Sequence, residues 1–110
     1  MVFDEIDTGV GGVTAQKMAE KIAIIANVRQ VLCITHLAQI ATFADNHLYI
    51  DKVVENGKTR TLVKALDMKE RVTEIMRMAG GNNMSEASKT NAEQLLIMAE
   101  RIKGSLKKDN

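Results

Sequence analysis

Apolar and polar residues alternate in blocks along the first third of the chain. Met1-Val2-Phe3 is an apolar run that ends in Asp4-Glu5, so Met1–Asp4 reads as the end of a buried strand. Glu5–Gly12 carries Gly9, Gly11 and Gly12 and reads as a turn. Val13–Val28 has Met18, Ile22, Ile25 and Ala26 at helical spacing, with Lys17, Glu20 and Lys21 elsewhere and Thr14 near the start; this predicts a helix. Gln30–Thr35 is a second short apolar run, and continuous apolarity fits a strand buried on both faces. Strand, helix and strand over about 35 residues make a βαβ unit, with parallel strands and a right-handed crossover.

The remaining pattern is hairpin and helix. Leu37–Ala44 reads as a short helix. His47–Val54 and Thr59–Leu66 are rich in β-formers and flank Glu55-Asn56-Gly57-Lys58; Asn-Gly in that position predicts a hairpin. Asp67 followed three residues later by Glu70 is an Asp version of the capping box. It opens a helix with Val72, Ile75, Met76 and Ala79 on one face, and Gly80-Gly81 ends it. Asn82–Thr90 is polar and reads as a connection. A last helix runs to about Lys107, with Ala92, Leu95, Leu96, Ala99, Ile102 and Leu106 in one stripe. The tail beyond it is expected to fray. The fold class is α/β: a parallel βαβ core, then a β-hairpin, then C-terminal helices.

Composition narrows this picture. At 110 residues the chain is one domain or part of one. Hydrophobic residues make up 45% but aromatics only 3%, so the core must be aliphatic. The net charge of +1 gives no global field toward nucleic acid or membrane. No run approaches the roughly 18 apolar residues of a membrane span, and the N-terminus lacks the pattern of a signal peptide. Cys33 is the single cysteine. It cannot form an internal disulfide and reads as a buried thiol in a reducing compartment. Arg101, Lys103, Lys107 and Lys108 read as a solvated helix face.

The candidate chemistry gathers at the strand tips. Asp4 and Glu5 end the first strand, Asp7 sits in the turn after it, and Thr35 and His36 end the second. Ligands of open α/β sheets collect at the carboxyl ends of the strands, so Glu5 and His36 are expected near one another. Asp4 is a candidate Mg2+ ligand, because Mg2+ prefers oxygen donors and keeps waters. Glu5 is a candidate acceptor for an attacking water, and His36 a candidate contact for a γ-phosphate. Phosphoryl transfer needs mainly positioning and charge stabilisation, which a few such groups supply. The other reading stays open at this point: an Asp-Glu pair after a strand also serves as a solvated turn, a lone His after a strand as structure, and glycines before a helix as a tight turn.

Val2-Phe3-Asp4-Glu5 resembles the Walker B strand of ABC-type ATPases, with the catalytic Glu directly after the Asp. Ile6-Asp7-Thr8-Gly9 resembles their D-loop, and Ile34-Thr35-His36 their switch-histidine segment. More closely, Phe3 through Val10, Gln30 through Leu37, and Glu70 through Ile75 with Arg77-Met78 and Gly80-Gly81 resemble the bacterial RecN family. Those DNA repair proteins are relatives of the SMC proteins, with an ABC ATPase head and a coiled-coil arm. Two positions depart from the family pattern: Gly11 stands where a Ser is common and Ala38 where a Pro is common, and neither supplies an essential charge.

The resemblance implies the C-terminal lobe of a P-loop NTPase head, with Asp4 supporting Mg2+, Glu5 activating water, His36 sensing the γ-phosphate, and Asp7 coupling two sites that sandwich ATP. The implied partners are the N-terminal lobe of the same head, a second head, and DNA; no membrane is implied, and the setting is the bacterial cytoplasm and nucleoid. These 110 residues contain no Gly-x-x-x-x-Gly-Lys-Ser/Thr, no Leu-Ser-Gly-Gly and no coiled-coil repeat. They are therefore expected to be inactive alone, to bind ATP weakly at best, and to self-associate through open edges, with Asn82–Thr90 as a hinge for swapping the last helix. Rival readings are the ATPase half of an ABC transporter, a Mg2+-dependent phosphatase of the haloacid dehalogenase type, and a non-catalytic interaction module. The phosphatase class uses Asp-x-Asp, whereas the spacing here is Asp4-x-x-Asp7.

Overall fold

The apolar runs that bracket the first helix pair with one another. In the computed structural model, which describes residues 1–4, 12–80 and 85–108, β1 (Val2–Asp4) and β2 (Leu32–Ile34) form a parallel two-stranded sheet. Its register sets Val2 against Leu32, Phe3 against Cys33 and Asp4 against Ile34. α1 (Gly12–Ala26) connects them. The Met1 carbonyl accepts the Leu32 amide at 2.9 Å, and the terminal ammonium reaches the Gln30 carbonyl at 3.0 Å, extending the pairing by one step.

These strands are not buried on both faces. Val2 is 63% exposed and Leu32 50%, whereas their neighbours Phe3 and Cys33 are half-buried. Alternation along a strand turns successive side chains to opposite faces. One face meets helices: Cys33 packs against the cluster of Ala15, Ala19 and Ile40. The other carries no such layer among the described residues. Cys33 is accordingly half-buried rather than buried.

In α1 the deeply buried positions are the small Ala15 and Ala19, while Met18, Ile22 and Ile25 are only partly covered and Ala26 is exposed. Alanines let the backbone of α2 (Ala38–Ala41) approach closely. Ile40 of α2 joins that cluster, and Ala38 and Ala41 join a second one with Ile75, Met76, Ala92 and Leu96. This four-residue helix therefore stands between the two cores, one face in each.

Asn56 and Gly57 have φ of 51° and 75°, the two positive values that a type I′ turn demands. They close the antiparallel hairpin of β3 (Leu48–Glu55) and β4 (Lys58–Ala65), registered from Leu48–Ala65 to Glu55–Lys58. The hairpin is a separate sheet from β1–β2, and its strand residues are largely exposed, with Val53 the best covered.

The capping box forms in full at the start of α3 (Met68–Gly80). The Glu70 amide donates to Asp67 Oδ1 at 2.8 Å, and the Asp67 amide donates to Glu70 Oε1 at 3.1 Å. Lys64 also donates to the Glu70 carboxylate. That bond, followed by the bond from the Asp67 amide, holds the Glu70 carboxyl below its ordinary range, and the same contact raises Lys64. Replacing Asp67 by Ala is expected to lower unfolding free energy by about 1 kcal/mol, the usual worth of such a cap. Urea denaturation checks this, and an unchanged midpoint would show that the cap contributes nothing here.

α3 buries Ile75 and Met76 as its pattern predicts, but it exposes Ala79 and buries Arg71 instead. α4 (Glu86–Lys108) starts earlier than the sequence suggests. Ser85 caps it, its Oγ accepting the Ser88 amide at 3.1 Å, so residues 86–90 are helix and not connection. Its buried stripe is Ala92, Leu96 and Ala99, and it continues into Lys103. No described helix is long and apolar enough to cross a membrane.

Candidate functional site

Parallel pairing sends both strands out of the sheet at one edge. Asp4 is the last residue of β1 and faces Ile34, the last of β2; Thr35 and His36 follow at once. Two extended residues beyond that pair put the His36 backbone on the order of 8 Å from that of Asp4. The Leu37 amide donates to Thr35 Oγ1 at 3.0 Å. This turn brackets His36, and the His36 side chain is exposed, as is Asp4. The structure thus brings Asp4 and His36 to one edge. Glu5 and Asp7, with the Gly9–Gly11 turn, lie outside the described residues.

A groove of about 1010 Å³ opens beside this edge. Leu32, Ile34 and His36, Leu48 and Ile50 of β3, and Ala23 of α1 are among the residues that line it. Asp4 does not line it. Residues of β2 and of the first half of β3 therefore share one cleft, whose lining also includes the charged Arg29, Asp45, Glu74, Arg77 and Lys103.

Past His36 the chain turns through α2 into a cluster that the sequence pattern did not announce. Arg71 and Lys103 are each only 7% exposed. The Arg71 guanidinium donates to the Ala44 carbonyl at 3.1 Å and to the Thr42 carbonyl at 3.5 Å. Lys103 Nζ donates to Asp45 Oδ1 at 3.0 Å and to the Ala44 carbonyl at 3.5 Å, and it pairs with Glu100 at 2.9 Å. Helix ends leave carbonyls without intrahelical partners, and cations satisfy them well because the helix dipole is negative there. Lys103 is therefore not part of a solvated basic face. Its place on the Ala92–Leu96–Ala99 stripe was the signal that could have located it.

Burial pushes the Arg71 guanidinium down from its ordinary value, opposed by Glu100 and Asp45. Burial also pushes His47 below the ordinary histidine range, and the nearby Arg71 charge adds to it against the pull of Glu74. His47 Nδ1 and Arg71 Nε are both buried without a hydrogen-bond partner. A neutral His47 fits beside that cation.

Comparison with known proteins places the same segments in a family. No family model matches the chain. The DNA repair protein RecN of Bacillus subtilis is 48% identical over 103 residues, covering 94% of this chain and 18% of that protein. The RecN protein of Halalkalibacterium halodurans is 50% identical over the same shares, and that of Deinococcus radiodurans 48% identical over 96 residues, 87% of this chain and 17% of that protein. The chain thus spans less than a fifth of the length of the curated relatives it matches. With identities of this size across nearly all of its residues, the chain belongs to the RecN family over the stretch it shares with them.

Proposed function

We propose that these residues supply the strand-tip half of an ATP site in a RecN-family head acting in DNA repair. The observation that carries this reading is the parallel register that ends Asp4 beside Ile34 and delivers His36 to the same edge. The names of the relatives, DNA repair proteins, support the biological setting. In this reading the chain is the C-terminal lobe of a P-loop NTPase head. Asp4 supports Mg2+, Glu5 accepts a proton from the attacking water, His36 contacts the γ-phosphate, and Asp7 reaches toward a second site. The N-terminal lobe of the same head, a second head across the nucleotide, and DNA are its partners, in the bacterial cytoplasm at the nucleoid.

The donor set suits the metal. Mg2+ in nucleotide sites keeps several waters and takes one or two carboxylates plus phosphate oxygens. An exposed carboxylate at a strand end meets that need, and among the described residues no group of three or more His, Cys, Asp or Glu side chains forms a cage. When bound, Mg2+ neutralises charge on the phosphate oxygens. The remaining work falls to the protein: Glu5 orients water by accepting its hydrogen bond, and His36 donates toward the phosphate from the neighbouring strand tip.

The phosphates need backbone amides and a Lys from a P-loop, and the 110 residues have no such motif. Titrating this chain with Mg-ATP in a calorimeter is therefore expected to give no binding at micromolar concentrations. A clear micromolar site would place phosphate recognition inside these residues and overturn the half-site reading.

A further inference from the structure

We propose that Arg71 and Lys103 are positioning residues for His36, acting through α2. The inference rests on the role given to His36 above, but its physical basis is separate. His36 is followed by Leu37, the residue that starts α2, in extended conformation with φ −96° and ψ 126°. From Leu37 to Ala44 the backbone is one hydrogen-bonded piece. The Leu37 carbonyl accepts the amides of Ile40 and Ala41, the Ala38 carbonyl accepts that of Thr42, and the Ala41 carbonyl accepts that of Ala44, at 3.0–3.2 Å. The Thr42 hydroxyl adds a bond to the Gln39 carbonyl at 3.0 Å.

A piece this short and this bonded moves as a unit. Its far end is held by the two buried cations, one from α3 and one from α4. Its near end carries His36, with the Leu37 amide tied to Thr35 Oγ1. Between them, α2 contributes Ala38 and Ala41 to one core and Ile40 to the other. The position of the strand-tip histidine is thereby set by helices that begin more than 30 residues later in the chain.

The charges make the hold directional. Arg71 reaches the Ala44 carbonyl at 3.1 Å and Lys103 at 3.5 Å, and the shorter charge-assisted contact of Lys103 at this end is with Asp45, at 3.0 Å. Lys103 is buried while its partners Asp45 and Glu100 are exposed, with side chains 66% and 67% accessible. Removing the lysine charge therefore strands no buried carboxylate. It loosens the clamp without the large penalty of a buried uncompensated ion.

The test is Lys103→Met, with Lys103→Arg as the conservative restoration, read by nuclear magnetic resonance on this chain. The clamp predicts that the His36 ring signals and the Leu37 amide shift together with Thr42 and Ala44 in Lys103→Met. It also predicts that the Leu37 and Thr42 amides exchange about tenfold faster, as expected for losing roughly one charge-assisted hydrogen bond. Lys103→Arg should return both readouts toward the parent values. Shifts confined to residues 42–45 and 100–103, with His36 and Leu37 unchanged, would overturn the proposal. Should Lys103→Met fail to fold, Lys103→Gln, which removes the charge but keeps a donor, is judged by the same two signals. Turnover of His36→Ala in a longer RecN-family protein separately decides the role of the histidine, so failure of that reading and failure of the clamp are told apart.

Discussion

In a RecN-family protein that carries these residues, Glu5→Gln is expected to slow single-turnover ATP hydrolysis by about 10²-fold or more while leaving ATP binding intact. The amide keeps the shape of the carboxylate but loses its capacity to take a proton from water. Asp4→Asn differs in kind, because in the proposed site Asp4, at the end of β1, is the Mg2+ ligand, and its loss should weaken retention of Mg-ATP as well. His36→Ala should slow turnover with binding largely preserved, since the imidazole is exposed at the neighbouring strand tip and holds no part of the core. Single-turnover hydrolysis beside nucleotide binding separates the three. Normal hydrolysis in Glu5→Gln would remove the water-activating role.

The features of this fold that were legible in the sequence are those set by a few neighbouring residues. Asn56-Gly57 needs two positive φ values and has them. Asp67 and Glu70 exchange the two bonds that their spacing allows. Two short apolar runs joined by a helix pair in parallel, with Asp4 and His36 at one edge. Covering layers were not legible in the same way. Met1–Asp4 reads as the end of a buried strand and Gln30–Thr35 as a strand buried on both faces, yet nothing local states whether a second layer lies over Val2 and Leu32, and these remain 63% and 50% exposed.

The charged groups misled for a related reason. Lys103 looked solvated because lysine nearly always is. The Ala92–Leu96–Ala99 period reaches Lys103 and marks its burial, but its partners, the Ala44 carbonyl and Asp45, lie 59 and 58 residues earlier, a relation no helical period carries. The early start of α4 was missed because Glu86–Thr90 is polar. Polarity there means an exposed first turn, and Ser85 was the cap that marked it.

The second large effect expected is association of this chain with a second copy of itself. Accessible surface scales with mass, and a compact 12.1 kDa monomer exposes about 6,000 Å². This chain exposes 7728 Å². The excess on one chain is about twice the roughly 800 Å² that each partner buries in a standard protein interface. The radius of gyration, 14.8 Å, likewise exceeds the roughly 13 Å of a compact domain of this length. Leu48, Ile50 and Val63 sit on one face of the hairpin and are exposed, and Leu32 and Ile34 of β2, which line the same groove as Leu48 and Ile50, are exposed apolar residues too. Unpaired strand edges template further pairing, and apolar patches of this size are seldom left bare. A second copy supplies both an edge and a matching apolar face without any other component. Size exclusion with light scattering should therefore give a mass of two chains or more, falling toward one on dilution. Ile50→Lys, which places a charge on that face, should weaken the association at least tenfold (about 1.4 kcal/mol). A strict monomer at high concentration in the parent chain would mean that this groove closes on its own core, and the surface argument would fall with it.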